Sequence, residues 1–161
     1  MEFIGIQKTL TFTQLNTGSI EDIFPLLCPV REKDWLEGWE YKMIHSRSGL
    51  IEQDCVFSTP YDNKDETIWQ VTQYDTTHFF IEFLRVTPHE NVVKINIQLE
   101  KINEHNTKSH ISYQYTGLNE KQNEYIKNDL AKSFMESMNG WEKAINHYLK
   151  NGEMLKKYNA S

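Results

Sequence analysis

Cysteine, arginine and glycine are all scarce in this chain of 161 residues, and each shortage closes a class of function. Two cysteines, Cys28 and Cys55, make no disulfide framework, so a pair of buried thiols is expected. No Cys-x-x-Cys unit and no H-E-x-x-H occurs, and the six histidines are scattered, so no metal site is expected. Seventeen basic residues, of which only Arg31, Arg47 and Arg85 are arginine, stand against 23 acidic ones for a net charge of -6. Binding to a phosphate backbone, and hence a nucleic-acid partner, is not expected from that balance. The seven glycines form no phosphate loop and no G-x-S-x-G elbow, so neither a cofactor nor a serine nucleophile is expected. No apolar run approaches the ~20 residues of a membrane span. The opening Met1-Glu2-Phe3-Ile4-Gly5 carries no basic or long apolar region, so the expected location is cytoplasmic.

What the chain has instead is aromatic mass: eight Phe, eight Tyr and four Trp, 12% of the residues. Each such side chain can cover roughly 150–250 Å², which gives a modestly apolar sequence a substantial core. A single domain over 1–161 is expected, because a chain of about 150 residues buries about 70% of its unfolded surface around one core.

Alternation predicts a first strand over 3–13, with Ile4, Ile6, Leu10 and Phe12 on the dry face and Lys8 as its exception. Ser19 caps a short helix carrying Ile20, Ile23, Phe24 and Leu27, complicated by Pro25 and ended by Pro29; a second runs from Val30 to Leu36 and stops at Gly38. Six strand-like runs follow, near 40–46, 54–59, 67–74, 78–87, 91–102 and 108–116. Their separators, Ser48-Gly49, Asp62-Asn63, Asp75 to Thr77, Pro88 to Glu90 and Asn103 to Asn106, are short, which favours antiparallel neighbours. The run 91–102 sets Val93, Ile95, Ile97 and Leu99 against Lys94, Asn96, Gln98 and Glu100, so one face is dry. The run 78–87 is apolar on both faces, which leaves its inward register open.

One long helix is predicted over 119–150, with Asn119 and Gln122 close to a capping box and Asn151-Gly152 as the stop. Ile126, Leu130, Phe134, Met138, Trp141, Ile145 and Leu149 form its apolar stripe. Gly140 inside that helix marks either close approach of a strand or pocket space beside Trp141.

The segment Pro25-Leu-Leu-Cys-Pro-Val-Arg-Glu-Lys-Asp-Trp-Leu-Glu-Gly-Trp39 resembles one found in uncharacterised bacterial proteins of the START-like (SRPBCC) superfamily. Ser48-Gly49, Asp54-Cys-Val-Phe57, Thr67-Ile-Trp69, Ile81-Glu-Phe-Leu-Arg-Val-Thr-Pro88 and Gly140-Trp-Glu-Lys-Ala144 extend the likeness over nearly the whole chain. The resemblance implies an α+β helix-grip fold like that of polyketide cyclases and the birch-pollen-allergen family. That fold is a curved antiparallel sheet of about seven strands, two short helices and a long C-terminal helix. It also implies an apolar or amphipathic small molecule, lipid-like or polyketide-like, held between sheet and last helix without catalysis. A cyclase or aromatase using the same pocket and a protein-interaction module of the chaperone-activator type are the other two readings. Fold alone does not choose among them.

The residues read as lining such a cavity are Trp35, Trp69, Phe83, Arg85, Ile95, Tyr113, Tyr115, Met138 and Trp141. Aromatic walls with a polar handle suit a mostly hydrophobic ligand, and Arg85 on the face of Ile81 and Phe83 can clamp a carboxylate or phosphate. Arg31, Glu32, Trp35 and Trp39 either order the short helices and pack on the sheet or gate the cavity they close. Glu32 and Glu82 become acid or base groups only if buried in a dry pocket; no catalytic residue is assigned.

Overall fold

The computed structural model describes residues 2–62 and 65–157. Seven strands form one antiparallel sheet: β1 (Gln7–Asn16), β2 (Lys42–His45), β3 (Val56–Pro60), β4 (Glu66–Asp75), β5 (Phe80–Thr87), β6 (Asn91–Asn103) and β7 (Asn106–Gly117). Their order is β1-β7-β6-β5-β4-β3-β2, so every neighbour except the β1–β7 pair is consecutive in the chain. The strands of β2 to β7 form a meander, as short connections demand. The expected turn at Asp62-Asn63 lies partly outside the described residues, at Asn63.

Between β1 and β2 come α1 (Ile20–Ile23), a 3-10 turn over Phe24–Leu27, and α2 (Pro29–Trp35). Ser19 Oγ caps α1 by accepting the Asp22 N–H at 3.1 Å. Pro25 cannot donate to an α-helical bond, and the chain tightens to 3-10 there. Pro29 sits at the first turn of α2, where its missing N–H costs nothing.

The C-terminal region is two helices, α3 (Glu120–Asn128) and α4 (Leu130–Asn151), where the sequence predicts one. Asp129 leaves the helical basin, at φ -120° and ψ -23°. The bend lets α3 pack on β7 while α4 lies across to β1, and it keeps both Ile126 and Leu130 fully buried. α4 spans about 33 Å at 1.5 Å per residue, and Gly152 closes it in the left-handed conformation at φ 71°. Phe134, Met138 and Ile145 fill its inner face, each contributing about 1.5–3 kcal/mol by leaving water.

Two local expectations are corrected, and the exception at Lys8 is explained. The first ladder pair is Gln7 with Thr116, so Ile4 and Ile6 precede the strand and stay exposed, at 81% and 37%. Lys8, the exception on the dry face, lies near the strand's open end, and its pairing with β7 is continuous. Gln122 completes no capping box. Asn119 Oδ1 accepts the Gln122 N–H at 2.8 Å, but the Gln122 side chain binds Glu90 and Asn91 and ties α3 to the β5–β6 turn.

The core lies between the sheet and α4, sealed at one end by α1 and α2. Among the described residues no helix is long and apolar enough to cross a membrane.

Candidate functional site

The open register of β5 resolves with Ile81, Phe83, Arg85 and Thr87 pointing inward. Phe80, Glu82, Leu84 and Val86 take the other face, where Glu82 is occupied by Thr72, Gln73 and Asn96. That parity carries Arg85 onto the floor of a cavity of about 220 Å³. Sheet residues form the floor: Phe57, Trp69, Phe83, Arg85, Ile95, Ile97, Ile111 and Tyr113. Ser137, Met138 and Trp141 of α4 form the roof, and Pro29, Glu32, Leu36 and Trp39 close the end.

Seven of the nine residues expected from the sequence therefore line one space: Trp69, Phe83, Arg85, Ile95, Tyr113, Met138 and Trp141. Two do not. Trp35 is fully buried, donates its indole N–H to the Leu26 carbonyl at 2.9 Å, and meets Trp141 edge-on behind the wall. Tyr115 lines a neighbouring, more polar recess of about 430 Å³ with Thr59, Thr67, Thr87, Asn91 and Gln122. Trp69 and Arg85 belong to both spaces and form the partition.

Arg85 is cradled by π faces. Its Cζ lies 5.2 Å from the Trp69 ring centre, 5.8 Å from Tyr113 and 5.7 Å from Tyr115, contacts that hold a desolvated cation well. Nη2 donates to Tyr115 Oη at 3.0 Å, and among the described residues no carboxylate pairs with it. A guanidinium has five N–H donors, so most of its capacity is unspent. Trp69 is itself fixed, donating its indole N–H to Thr59 Oγ1 at 3.0 Å.

The short helices split the two roles open for them. Arg31 bonds Asp34 at 2.9 Å rather than Glu32, and Trp35 packs. Trp39 donates to the Pro29 carbonyl at 2.9 Å and sets its ring edge on Trp69. Glu32 turns toward the cavity, makes no side-chain hydrogen bond or ion pair to a described residue, and is enclosed enough that burial pushes its carboxyl well above the ordinary 4.5. It remains partly accessible and lines the cavity. Tyr113 is pushed up to about 12, first by burial, then eased by Arg85 and pushed further by Tyr115 and Glu32. Its hydroxyl and that of Ser137 are likewise without a partner among the described residues.

The sequence reading left Pro29, Leu36, Phe57, Ile97, Ile111 and Ser137 out of the site and named Glu32 and Trp39 only as candidate gate residues. Ser137 carried a readable signal: a hydroxyl three residues after Phe134 and four before Trp141 sits on the apolar stripe.

Gly140 faces away from any strand. A Cβ there would meet nothing within 4 Å, and the residue borders an outer groove with Leu36, Trp141 and Leu155. Of the two readings, close strand approach fails and space beside Trp141 holds, in a groove outside the roof.

Sheet, short helices and C-terminal helix together make this a helix-grip, START-like fold. Solved structures share it. Norcoclaurine synthase from Thalictrum flavum, in complex with dopamine and hydroxybenzaldehyde, matches with TM-score 0.66 and 12% identity over 90% of this chain and 87% of that one. The Zhui aromatase/cyclase from Streptomyces sp. R1128 gives 0.68 and 7% over 93% and 100%. A hypothetical protein from Helicobacter pylori gives 0.71 and 9% over 88% and 87%. Identities this low establish the fold and no activity. No family model and no curated protein sequence matches the chain.

Proposed function

We propose that the protein binds a compact amphipathic small molecule, its apolar body in the aromatic cavity and an acid group on Arg85, without chemical change. One observation carries this reading: a cation on the floor of an apolar cavity has no anion among the described residues. A partly buried charge without a counter-ion is poorly compensated, and a ligand carboxylate or phosphate would supply the missing partner with two parallel bonds. The cavity is about 220 Å³. A void of 150 Å³ takes benzene, and drug-sized sites start near 300 Å³, so the body is of one-ring size rather than a long acyl chain. The norcoclaurine synthase complex, with two small aromatic molecules, supports the same ligand scale on this fold. Two buried free thiols, Cys28 and Cys55, fit the proposed cytoplasmic location, and the acidic surface fits the proposed lack of a nucleic-acid partner.

The cyclase-type reading stays second, favoured by Glu32 alone, the enclosed carboxyl that such chemistry needs. Titration calorimetry with 3-phenylpropanoate and 3-phenylpropanol tests the first reading. The acid is expected to bind at least tenfold tighter than the alcohol, with the advantage lost in Arg85→Gln. Equal binding of acid and alcohol, or of neither, overturns it.

A further inference from the structure

Four polar side chains face the aromatic cavity: Arg85, Glu32, Tyr113 and Ser137. Arg85 is the only one with a hydrogen bond to another described side chain. The other three present donors or acceptors to an otherwise apolar space. Glu32 and Tyr113 are partly buried, and polar groups so enclosed are usually satisfied by protein or by something bound, whereas Ser137 is exposed and also borders the outer groove, where water serves it. Arg85 accounts for one end of a ligand. Glu32 sits on α2, the helix that closes the cavity, while Arg85 on β5 and Tyr113 on β7 line its floor, and both charged groups act electrostatically on the Tyr113 hydroxyl. A ligand with only an acid head would satisfy Arg85 and leave Glu32 and Tyr113 stranded against a hydrocarbon ring.

We infer that the ligand is a compact aromatic acid bearing a second, uncharged oxygen, a hydroxyl or keto group on its body, and that Glu32 with Tyr113 is the subsite that reads it. This rests on the binding function proposed above and specifies the class of molecule. A carboxylic acid and a phenol can each donate to such an oxygen and accept from its proton, so either a hydroxyl or a ketone is matched. A site built to bond an oxygen rejects the analogue that lacks it far more strongly than an apolar wall rejects an added one, because its own groups are then left unpaired. Discrimination by oxygen is thus the expected property, beyond tolerance of anything apolar and acidic.

The test compares 3-phenylpropanoate with 3-(4-hydroxyphenyl)propanoate and 3-(4-aminomethylphenyl)propanoate by calorimetry on the wild type, Glu32→Gln, Glu32→Leu and Arg85→Gln, with thermal melts confirming folding. In the wild type the phenol is expected to bind at least tenfold tighter than the plain ring. Glu32→Gln, which still donates and accepts, should keep most of that ratio, Glu32→Leu should bring it to about one, and Arg85→Gln should weaken both acids by the same factor. An unchanged ratio in Glu32→Leu, or no ratio in the wild type, overturns the subsite while leaving acid binding intact. Tightest binding of the aminomethyl compound overturns it too, making Glu32 a counter-ion for a cation. Failure of every acid to bind the wild type overturns both the subsite and the binding function beneath it.

Discussion

Arg85 donates to the Tyr115 hydroxyl at 3.0 Å across the sheet, and this bond fixes a guanidinium at the boundary between an aromatic cavity and a polar recess. Tyr115 is read from the sequence as cavity lining, yet its contribution is to hold the cation's position from the far side. The consequence is orientation: the remaining N–H groups stay free for a planar anion.

Arg85→Lys is therefore expected to lower affinity for an aromatic acid at least tenfold despite keeping the charge, because lysine loses both the fork and the stacking on Trp69. Tyr115→Phe should cost less, about 0.5–1.5 kcal/mol, the usual worth of one hydrogen bond. Arg85→Met should leave stability unchanged or raise it, since an unpaired inward charge gives way to an apolar chain. Calorimetry and urea unfolding on the same preparations check all three. A loss of several kcal/mol of stability in Arg85→Met would make the arginine structural.

Glu32 couples stability to pH. Burial raises its folded carboxyl above the ordinary 4.5, so below that value both folded and unfolded chains carry the proton and no penalty exists. As pH rises above about 4.5 the unfolded chain ionises first, and stability is lost until the folded group also ionises. Glu32→Gln has no such proton. Its stability relative to the wild type should grow with pH from about 4.5 upward, at about 1.4 kcal/mol per unit of separation between the two pKa values. Urea midpoints at several pH values from 4 to 8 measure it, and a gap independent of pH would contradict burial of the carboxyl.

The architecture was legible where side-chain period and burial agree. Val93, Ile95, Ile97 and Leu99 alternate because one face of β6 is dry, and Ser19 and Asn119 mark true helix starts. Much of the aromatic wall was legible for the same reason. A register shift between Val71 and Gln73 was not: it turns Tyr74 to pair with Ile81 and stack on Phe24, and no local residue type announces it. The bend at Asp129 has neither proline nor glycine, and follows from α3 and α4 packing on different strands. Glu32 was legible as an acid but not as an enclosed one, because most of the cavity wall around it comes from residues 25 to 109 positions away along the chain.

Gly140 offers a stabilising substitution. It lies inside α4, where a Cβ would meet no described residue beyond its own helix turn within 4 Å, and its φ is not positive, so alanine meets neither clash nor strain. Gly140→Ala should gain about 1 kcal/mol from helix propensity and a stiffer unfolded chain. For a protein of this size that is about 2–4 °C in melting temperature. A lower melting temperature would mean the groove beside Trp141 needs the glycine's freedom.

Two asparagines on the C-terminal helices tie down the two ends of β1. Asn123 Oδ1 accepts the Ile6 N–H at 2.8 Å and its Nδ2 donates to the Ile4 carbonyl at 3.0 Å. Toward the strand's other end Asn146 Oδ1 accepts from the Thr17 N–H at 3.1 Å and from Asn16 at 3.2 Å, while its Nδ2 donates to the Leu15 carbonyl at 2.9 Å. An edge strand presents unpaired backbone groups that invite pairing with another chain, and here side chains from α3 and α4 take several of them. Truncating either asparagine leaves peptide groups without partners, so Asn123→Ala and Asn146→Ala should each cost about 1–3 kcal/mol. The two sites share no partner and sit at opposite ends of β1, so the double variant should equal the sum within about 0.5 kcal/mol. Urea unfolding of the two single variants and the double one measures this. A strongly non-additive result would show that α3 and α4 grip the strand as one unit despite the bend at Asp129, so that releasing one end releases the other.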